Sequence, residues 1–347
     1  MRILQALGGA PHGGAELFFE RISCALGSHE DVEQQVLIRR NTERAGRLRE
    51  HGVNVTELPF GGAFDLATGR GFRKAIHEFE PKIVLTWMNR ATRFCPRSHG
   101  QFVHVARLGG YYNLKYYRSC DHLIGNTQGI VDYLVAEGWP VDRAHYLPNF
   151  VPADRAGPVA RASLDTDENS PLLLALGRMH DNKALDVLLT ALVQVPQATL
   201  WIAGDGPNAV SLRQQADKLG ISGRVRFLGW RDDTAALLAA ADVLVCPSRV
   251  EPLGNVVLEA WAQHVPVVAA AAAGPSFLIQ DQVNGMLVPI DDPGGLAHAV
   301  HQVINDPVQA KAMAASGFET YQAEYSEEVV IGRYLEFLNK VVAECAA

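Results

Sequence analysis

ADVLVCPSRVEPLGNVVLEAWA, residues 241–262, decides how this chain folds. Its opening, ADVLVCPS, is a short continuous apolar run, the pattern of a strand buried on both faces of a parallel sheet. The apolar spacing of NVVLEAWA then predicts an amphipathic helix starting after Gly254. A strand end that feeds a helix start leaves the first backbone N–H groups, at Gly254, Asn255 and Val256, available to an anion. Two glutamates, Glu251 on the loop and Glu259 roughly one turn beyond those amides, stand eight positions apart around this point. Glu259 is placed to accept two hydroxyls of a ribose whose phosphate sits on the helix tip, and Glu251 is left to face a sugar. A capping Glu251 and a solvated Glu259 are the plain alternative, but the residues between them are apolar and glycine-containing rather than a charged surface pattern.

Outward from this stretch the same unit repeats. MRILQALGG runs into a glycine-rich turn and then AELFFERISCAL, whose apolar residues have helical spacing. Further apolar strands follow at QQVLIRR, NVTELPF, KIVLTWM, QFVHVARL and DHLIGNT, separated by segments able to form helices. A second series begins at PLLLALGR and continues through ATLWIAGDG, RVRFLGW, DVLVCPS, VPVVAAA and GMLVPI. Such alternation implies parallel sheets. Between the series lies LPNFVPADRAGPVARASLDTDENSP, rich in proline and polar residues and expected to be a linker. The expected architecture is α/β, two Rossmann-like doubly wound domains at 1–150 and 151–325 facing a central cleft. An amphipathic helix within 326–347 is expected to pack back across the junction.

At 347 residues the chain is long enough for two such cores. Its five cysteines are scattered without metal-ligand spacing, which suits a reducing cytoplasm, and no apolar run reaches the roughly 18 residues of a spanning helix. The net charge of −7 is uneven: residues 1–150 hold 18 Lys and Arg against 15 Asp and Glu, the remainder 13 against 23. The basic first half suggests an anionic partner, a phospholipid surface or a phosphorylated acceptor, with solvated helix faces as the alternative. Nucleic acid is excluded by the overall acidity and the lack of a recognition motif.

The ordered set LALGRMHDNKALDVLLTAL, LWIAGDGP, VRFLGW, the glutamate pair, VPVVA and VNGMLVPIDD resembles family 4 of the retaining glycosyltransferases, glycosyl transferases group 1, which have the GT-B fold. The resemblance implies that Arg178 and Lys183 bind the donor diphosphate and, with Glu251, form the catalytic set; two fixed cations would stabilise the charge that develops as the glycosidic bond breaks. It implies that Gly14, in GGAPHGGAE, lets the donor approach the backbone, and that the backbone around Arg231 reads the base edge. With Gly254, Asn255, Val256 and Glu259 these make the donor site. His12 is expected to face water, Trp230 to belong to the core, and Gly204 and Gly206 to serve a turn. The acid pairs Asp232–Asp233 and Asp291–Asp292 are expected to cap helices, with no metal bound.

On the acceptor side the family often has a histidine at a strand end. Here His104 lies about three residues before that end, where alternation turns it toward the core, and Arg107 takes the strand end. Arg107 is therefore ranked above His104, with Asn89, Arg90 and Tyr111 lining the same side and Tyr112 and Asn113 on the same loop. The chain departs from the family at Ala184 and His264, both common glycine positions, and at Phe277, where a glutamate is usual. The implied activity is retaining, metal-independent transfer of a sugar from a nucleotide sugar, UDP above all, to a glycan or glycolipid. No cofactor is expected beyond that donor. Bacterial lipopolysaccharide or another surface polysaccharide is the expected pathway, in the cytoplasm or peripherally at the inner membrane's cytoplasmic face. A sugar-nucleotide epimerase, a phosphorylase or a non-catalytic sugar-nucleotide-binding protein are the alternatives.

Overall fold

The computed structural model describes residues 1–11, 13–62 and 64–346, apart from the side chains of 345 and 346. The chain divides into two α/β units, Met1–Asn149 with Glu327–Ala347, and Phe150–Ser326.

Unit 1 holds β1 (Arg2–Leu7), β2 (Glu33–Arg39), β3 (Asn54–Leu58), β4 (Ile83–Trp87), β5 (Val103–Leu108), β6 (His122–Gly125) and β7 (Ala144–Tyr146). They form one sheet in the order β3-β2-β1-β4-β5-β6-β7, every pair parallel. Unit 2 holds β8 (Leu172–Leu176), β9 (Thr199–Ala203), β10 (Val225–Gly229), β11 (Val243–Cys246), β12 (Val267–Ala270) and β13 (Met286–Val288). Its sheet runs β10-β9-β8-β11-β12-β13, again all parallel. Parallel strands joined by helices bury both faces, and the central runs LLLAL and VLVC are correspondingly apolar and almost wholly buried. This is the expected pair of doubly wound sheets.

In each sheet the strand order reverses once, between β1 and β4 in unit 1 and between β8 and β11 in unit 2. At such a point the connections leave the sheet on opposite faces and open a crevice at the carboxyl ends of the strands, where ligands of doubly wound folds bind. Leu7 pairs with Trp87, so the glycine-rich loop after β1 and the segment after β4 emerge side by side.

The segment 150–171 is not a free linker. Val151 is buried in the unit 2 core, and the Arg161 guanidinium donates to the Ala240 carbonyl at 2.7 Å and to Asp242 at 3.0 Å. Proline and polar content suggested a spacer, but these carbonyl and carboxylate acceptors lie some eighty residues away in sequence. The final helix, Glu327–Ala346, is grouped with unit 1, where Tyr334 is fully buried and Phe337 packs on the His145 ring at 4.5 Å.

Candidate functional site

In unit 2 the loops after β8 and β11 carry the charged residues. Gly177 and Arg178 follow β8, then a 3-10 turn at Asp181–Lys183, then the helix Leu185–Val193. Lys183 Nζ donates to Glu251 Oε2, and the two side chains are only 22% and 12% exposed. Burial alone would depress the Lys183 ammonium, but Glu251, followed by Cys246 and Glu259, outweighs it and holds the group above its ordinary value. The structure thus pairs Lys183 with Glu251, while the Glu259 charge reaches the same ammonium electrostatically. Ser248 Oγ donates to Glu251 at 3.3 Å. Burial, with Glu251 next, pushes the Cys246 thiol up to about 11, so it is a neutral wall of this site. Arg178 is exposed and has no hydrogen-bond or ion-pair partner among the described residues.

Backbone contacts hold these loops together. A Cβ on Gly204 would come within 1.9 Å of the Gly177 carbonyl oxygen, so the loops after β8 and β9 touch main chain to main chain. This close approach is the use of the GDG turn. Gly274 fits as tightly against Leu253, and its N–H donates to the Glu251 carbonyl at 2.7 Å. Gly254 caps the helix Asn255–Ala262 in the left-handed region at φ 82°, with the Val257 N–H returning to its carbonyl. The N–H groups of Gly254 and Val256 meet no acceptor among the described residues.

The sequence reading missed Arg249. It donates to Asp186 at 2.9 and 2.7 Å, to Asp291 at 2.6 Å and to the Asp181 carbonyl at 2.9 Å, binding the two charged loops to each other. Only its place two positions before Glu251 was visible in the sequence. Asp291 is therefore an Arg249 partner rather than a cap, whereas Asp292 does cap its helix through the Gly295 N–H at 2.8 Å. Asp232 and Asp233 make no side-chain cap either: they accept from Trp230 Nε1 at 2.9 Å and from Arg231. Trp230, expected in the core, is 61% exposed on the turn after β10, beside Arg231. Ala184 and His264 both adopt the left-handed backbone, at φ 48° and 59°, which explains why glycine suits these positions. His264 offsets part of that strain by stacking on Phe318 at 3.8 Å. Phe277 is half-exposed on the short helix Ala273–Leu278.

In unit 1 the corresponding switch point encloses a cavity of about 300 Å³. Its wall includes Gly8 and Gly9 after β1, Arg39 at the end of β2, and Asn89 and Arg90 after β4. Glu16, which the sequence reading did not select, is 7% exposed and lines the cavity, its Oε1 accepting the Ala10 N–H at 2.8 Å. An acidic residue in the first turn after a glycine-rich loop was the available signal. Gly14 begins the helix Gly14–Gly27 that carries Glu16, and His12 lies outside the described residues. Asn89 accepts from the Tyr117 hydroxyl, and Arg90 donates to the Gly8 carbonyl at 3.1 Å. Tyr111 is 57% exposed and set edge-on to Tyr133 at 5.3 Å.

Arg107 is not a surface residue. It is 2% exposed, with the Phe18 and Trp87 ring centroids each 4.6 Å from its guanidinium carbon, Nε donating to Tyr334 at 2.9 Å and Nη2 to Asn149. The strand-end reading failed because the final helix covers this position. His104 is fully buried beside Thr86 at 3.0 Å, and desolvation lowers it to about 4. Of the arginine cluster at 39–49, Arg44 and Arg47 are bound to Glu20, and Arg44 also to the Ala10 and Pro11 carbonyls.

Among the described residues no three His, Cys, Asp or Glu side chains converge to hold a metal ion, and no helix is long and apolar enough to cross a membrane.

Residues 170–306 match the family model described as Glycosyl transferases group 1. The chain is 36% identical over 333 residues to the lipopolysaccharide core biosynthesis glycosyltransferase LpsE of Rhizobium meliloti, covering 94% of this chain and 96% of the relative. It is 34% identical to LpsD of the same organism, with 96% of each chain covered. Among solved structures it is similar to Anabaena Alr3699/HepE in complex with UDP and glucose, with a TM-score of 0.84, 23% identity, and 98% and 100% of the chains covered. That last likeness is one of fold.

Proposed function

Because the chain belongs to the glycosyl transferases group 1 family and is a glycosyltransferase, we propose that it moves a sugar from a UDP-sugar onto a lipopolysaccharide core acceptor, with retention of anomeric configuration and without a metal ion. The observation that carries this reading is the pairing of Lys183 with Glu251 at the unit 2 switch point, with Glu259 adding to the field on the same ammonium, and the Gly254 and Val256 amides, which meet no acceptor among the described residues. The full-length similarity to two lipopolysaccharide core enzymes supports the acceptor class.

In this mechanism the diphosphate lies against the Gly254 and Val256 amides, Glu259 accepts the ribose hydroxyls, and the base stands on the turn at Trp230 and Arg231. Arg178 and Lys183 stabilise the negative charge that grows on the diphosphate as the bond from the anomeric carbon to its phosphate oxygen breaks. The acceptor hydroxyl attacks that carbon from the face being vacated, and its proton passes to the departing phosphate oxygen. No protein base is required. Glu251, anchored by Ser248 and Lys183, holds donor hydroxyls so that only the productive orientation brings the reacting atoms together. The cations do the work a metal would otherwise do. The enzyme acts in the cytoplasm, with unit 1 touching the inner membrane peripherally.

The test is to incubate the full chain, stripped with chelator, with UDP-sugars and deacylated lipopolysaccharide core, and to read the anomeric proton of the product by NMR. A product of inverted configuration, or a rate that returns only on adding a divalent cation, would overturn retention or metal independence respectively. Absence of transfer from every nucleotide sugar would overturn the reading as a whole.

A further inference from the structure

The unit 1 cavity has a composition that the transfer reaction alone does not explain. Arg39 and Arg90 are both exposed at its edge, and Arg39 has no hydrogen-bond or ion-pair partner among the described residues. Arg90 is pre-set, because its stem lies over Gly8 so closely that a Cβ there would come within 3.0 Å of it, and one N–H is fixed by the Gly8 carbonyl, which leaves the rest of the fork open. Glu16 supplies the opposite charge deeper in the wall. Its Oε1 is held by the Ala10 N–H, while no described residue donates to Oε2. A buried carboxylate with an open acceptor atom calls for a donor, and a sugar hydroxyl is one. Two guanidinium groups beside it call for an anion, the planar oxygens of a phosphate or carboxylate matching their geometry. The volume of about 300 Å³ is at the low end for small-molecule sites and accommodates one sugar unit rather than an oligosaccharide.

We propose that this cavity binds the accepting sugar unit, and that this unit carries an anionic substituent, held by Arg39 and Arg90 while Glu16 receives hydrogen bonds from its hydroxyls. The assignment rests on the glycosyl-transfer reading for the name of the ligand but not for its chemistry. Glu16 and the two arginines act here as specificity residues, since the electrons and the proton of the transfer pass elsewhere.

Calorimetric titration of the full chain with glucose 6-phosphate, glucuronate, glucose and inorganic phosphate tests the assignment without any turnover. One of the two charged sugars is expected to bind at least about tenfold tighter than glucose, and which one it is distinguishes phosphate from carboxylate. Arg39→Gln, at an exposed position, should reduce that preference to roughly threefold or less; Arg90→Gln should do the same and Arg90→Lys keep part of it. Glu16→Gln should act with opposite sign on two probes, weakening glucose 6-phosphate while strengthening inorganic phosphate. Equal binding of charged and neutral sugars by the native chain, or a preference that survives both arginine variants, would overturn the proposal. Charge-dependent binding in a protein that transfers no sugar would sink the transfer reading and leave the cavity assignment standing. Transfer to neutral and anionic acceptors at equal rates would do the reverse.

Discussion

The two switch points share a plan and differ in how their charges are held. In unit 2 the charged groups other than Arg178 are committed: Lys183 to Glu251, and Arg249 to Asp186 and Asp291, on loops locked by main-chain contacts at Gly204 and Gly274. In unit 1 the carboxylate of Glu16 is half satisfied, Arg39 is open, and Arg90 is tied at one end. A site whose side chains are fixed before the ligand arrives suits a ligand whose shape never varies, such as a nucleoside diphosphate. A site with open ends suits recognition that diverges between relatives, as acceptor choice does. The same fold therefore separates a rigid chemistry from an adjustable specificity at the level of side-chain pairing.

The largest effect that would break this contrast is at Lys183. Lys183→Ala should lower turnover about 10²–10³-fold, as removal of one charge-stabilising donor does elsewhere, and should loosen the loop by leaving Glu251 unpaired. Release of nucleoside diphosphate measures the first and the thermal midpoint the second; native turnover in the variant would remove Lys183 from the catalytic set. Acid comes next and separates the units by stability. His104 is lowered from 6.5 to about 4 by desolvation, and His145 likewise by desolvation with His122 and Lys340 adding to it. A histidine depressed in the folded state adds stability that is complete above its unfolded value and disappears as pH falls through its folded value. Unit 1 should therefore weaken between pH 6.5 and 4, by roughly 3 kcal/mol for His104 alone, and hydrogen exchange by peptide should show its strands opening there. Exchange that is flat over this interval would contradict the burial argument.

Arg178→Gln should cost about tenfold in turnover with little change in thermal midpoint, because the side chain is exposed and holds nothing else in place. A large stability loss would show that it has a structural partner in solution. The smallest effect is at Ala184, buried in the left-handed region at φ 48°. Ala184→Gly should raise stability by about 1 kcal/mol, read from denaturant midpoints, since glycine removes a Cβ strain larger than the entropy it adds. No gain would mean that the packing of the Ala184 methyl outweighs its strain.

How much of this could be read in advance follows from how local each signal is. The apolar runs LLLAL and VLVC, the glycine turn after β1 and the strand-to-helix junction at Gly254 are determined by neighbours in sequence, so both sheets and that junction were legible; Lys183 entered only through the family resemblance, and its pairing with Glu251, 68 positions away, did not show in the sequence. Arg107 was misread because what buries it is Tyr334, on a helix more than two hundred residues later. The same holds for Arg161, whose acceptors lie near Asp242, and for Arg249, whose two carboxylates come from the start of the helix Leu185–Val193 and from the turn after β13. Trp230 failed in the other direction: a large aromatic after a strand usually joins a core, but the turn directs it outward and its Nε1 finds Asp232. Glu16 escaped notice because its value lies in the unoccupied half of its hydrogen bonding, which no residue type announces.

The helix Glu327–Ala346 has a further consequence for biogenesis. Since it is grouped with residues 1–149, unit 2 is inserted within unit 1 and is translated in full before the last segment of unit 1. Arg107 must wait beside Phe18 and Trp87 for a hydroxyl translated more than two hundred codons later. The portion made first thus matures last, and through most of synthesis it exposes a cation and an apolar surface intended for a helix that does not yet exist. A released chain ending at residue 326 should remain open to protease in unit 1 while unit 2 is already resistant.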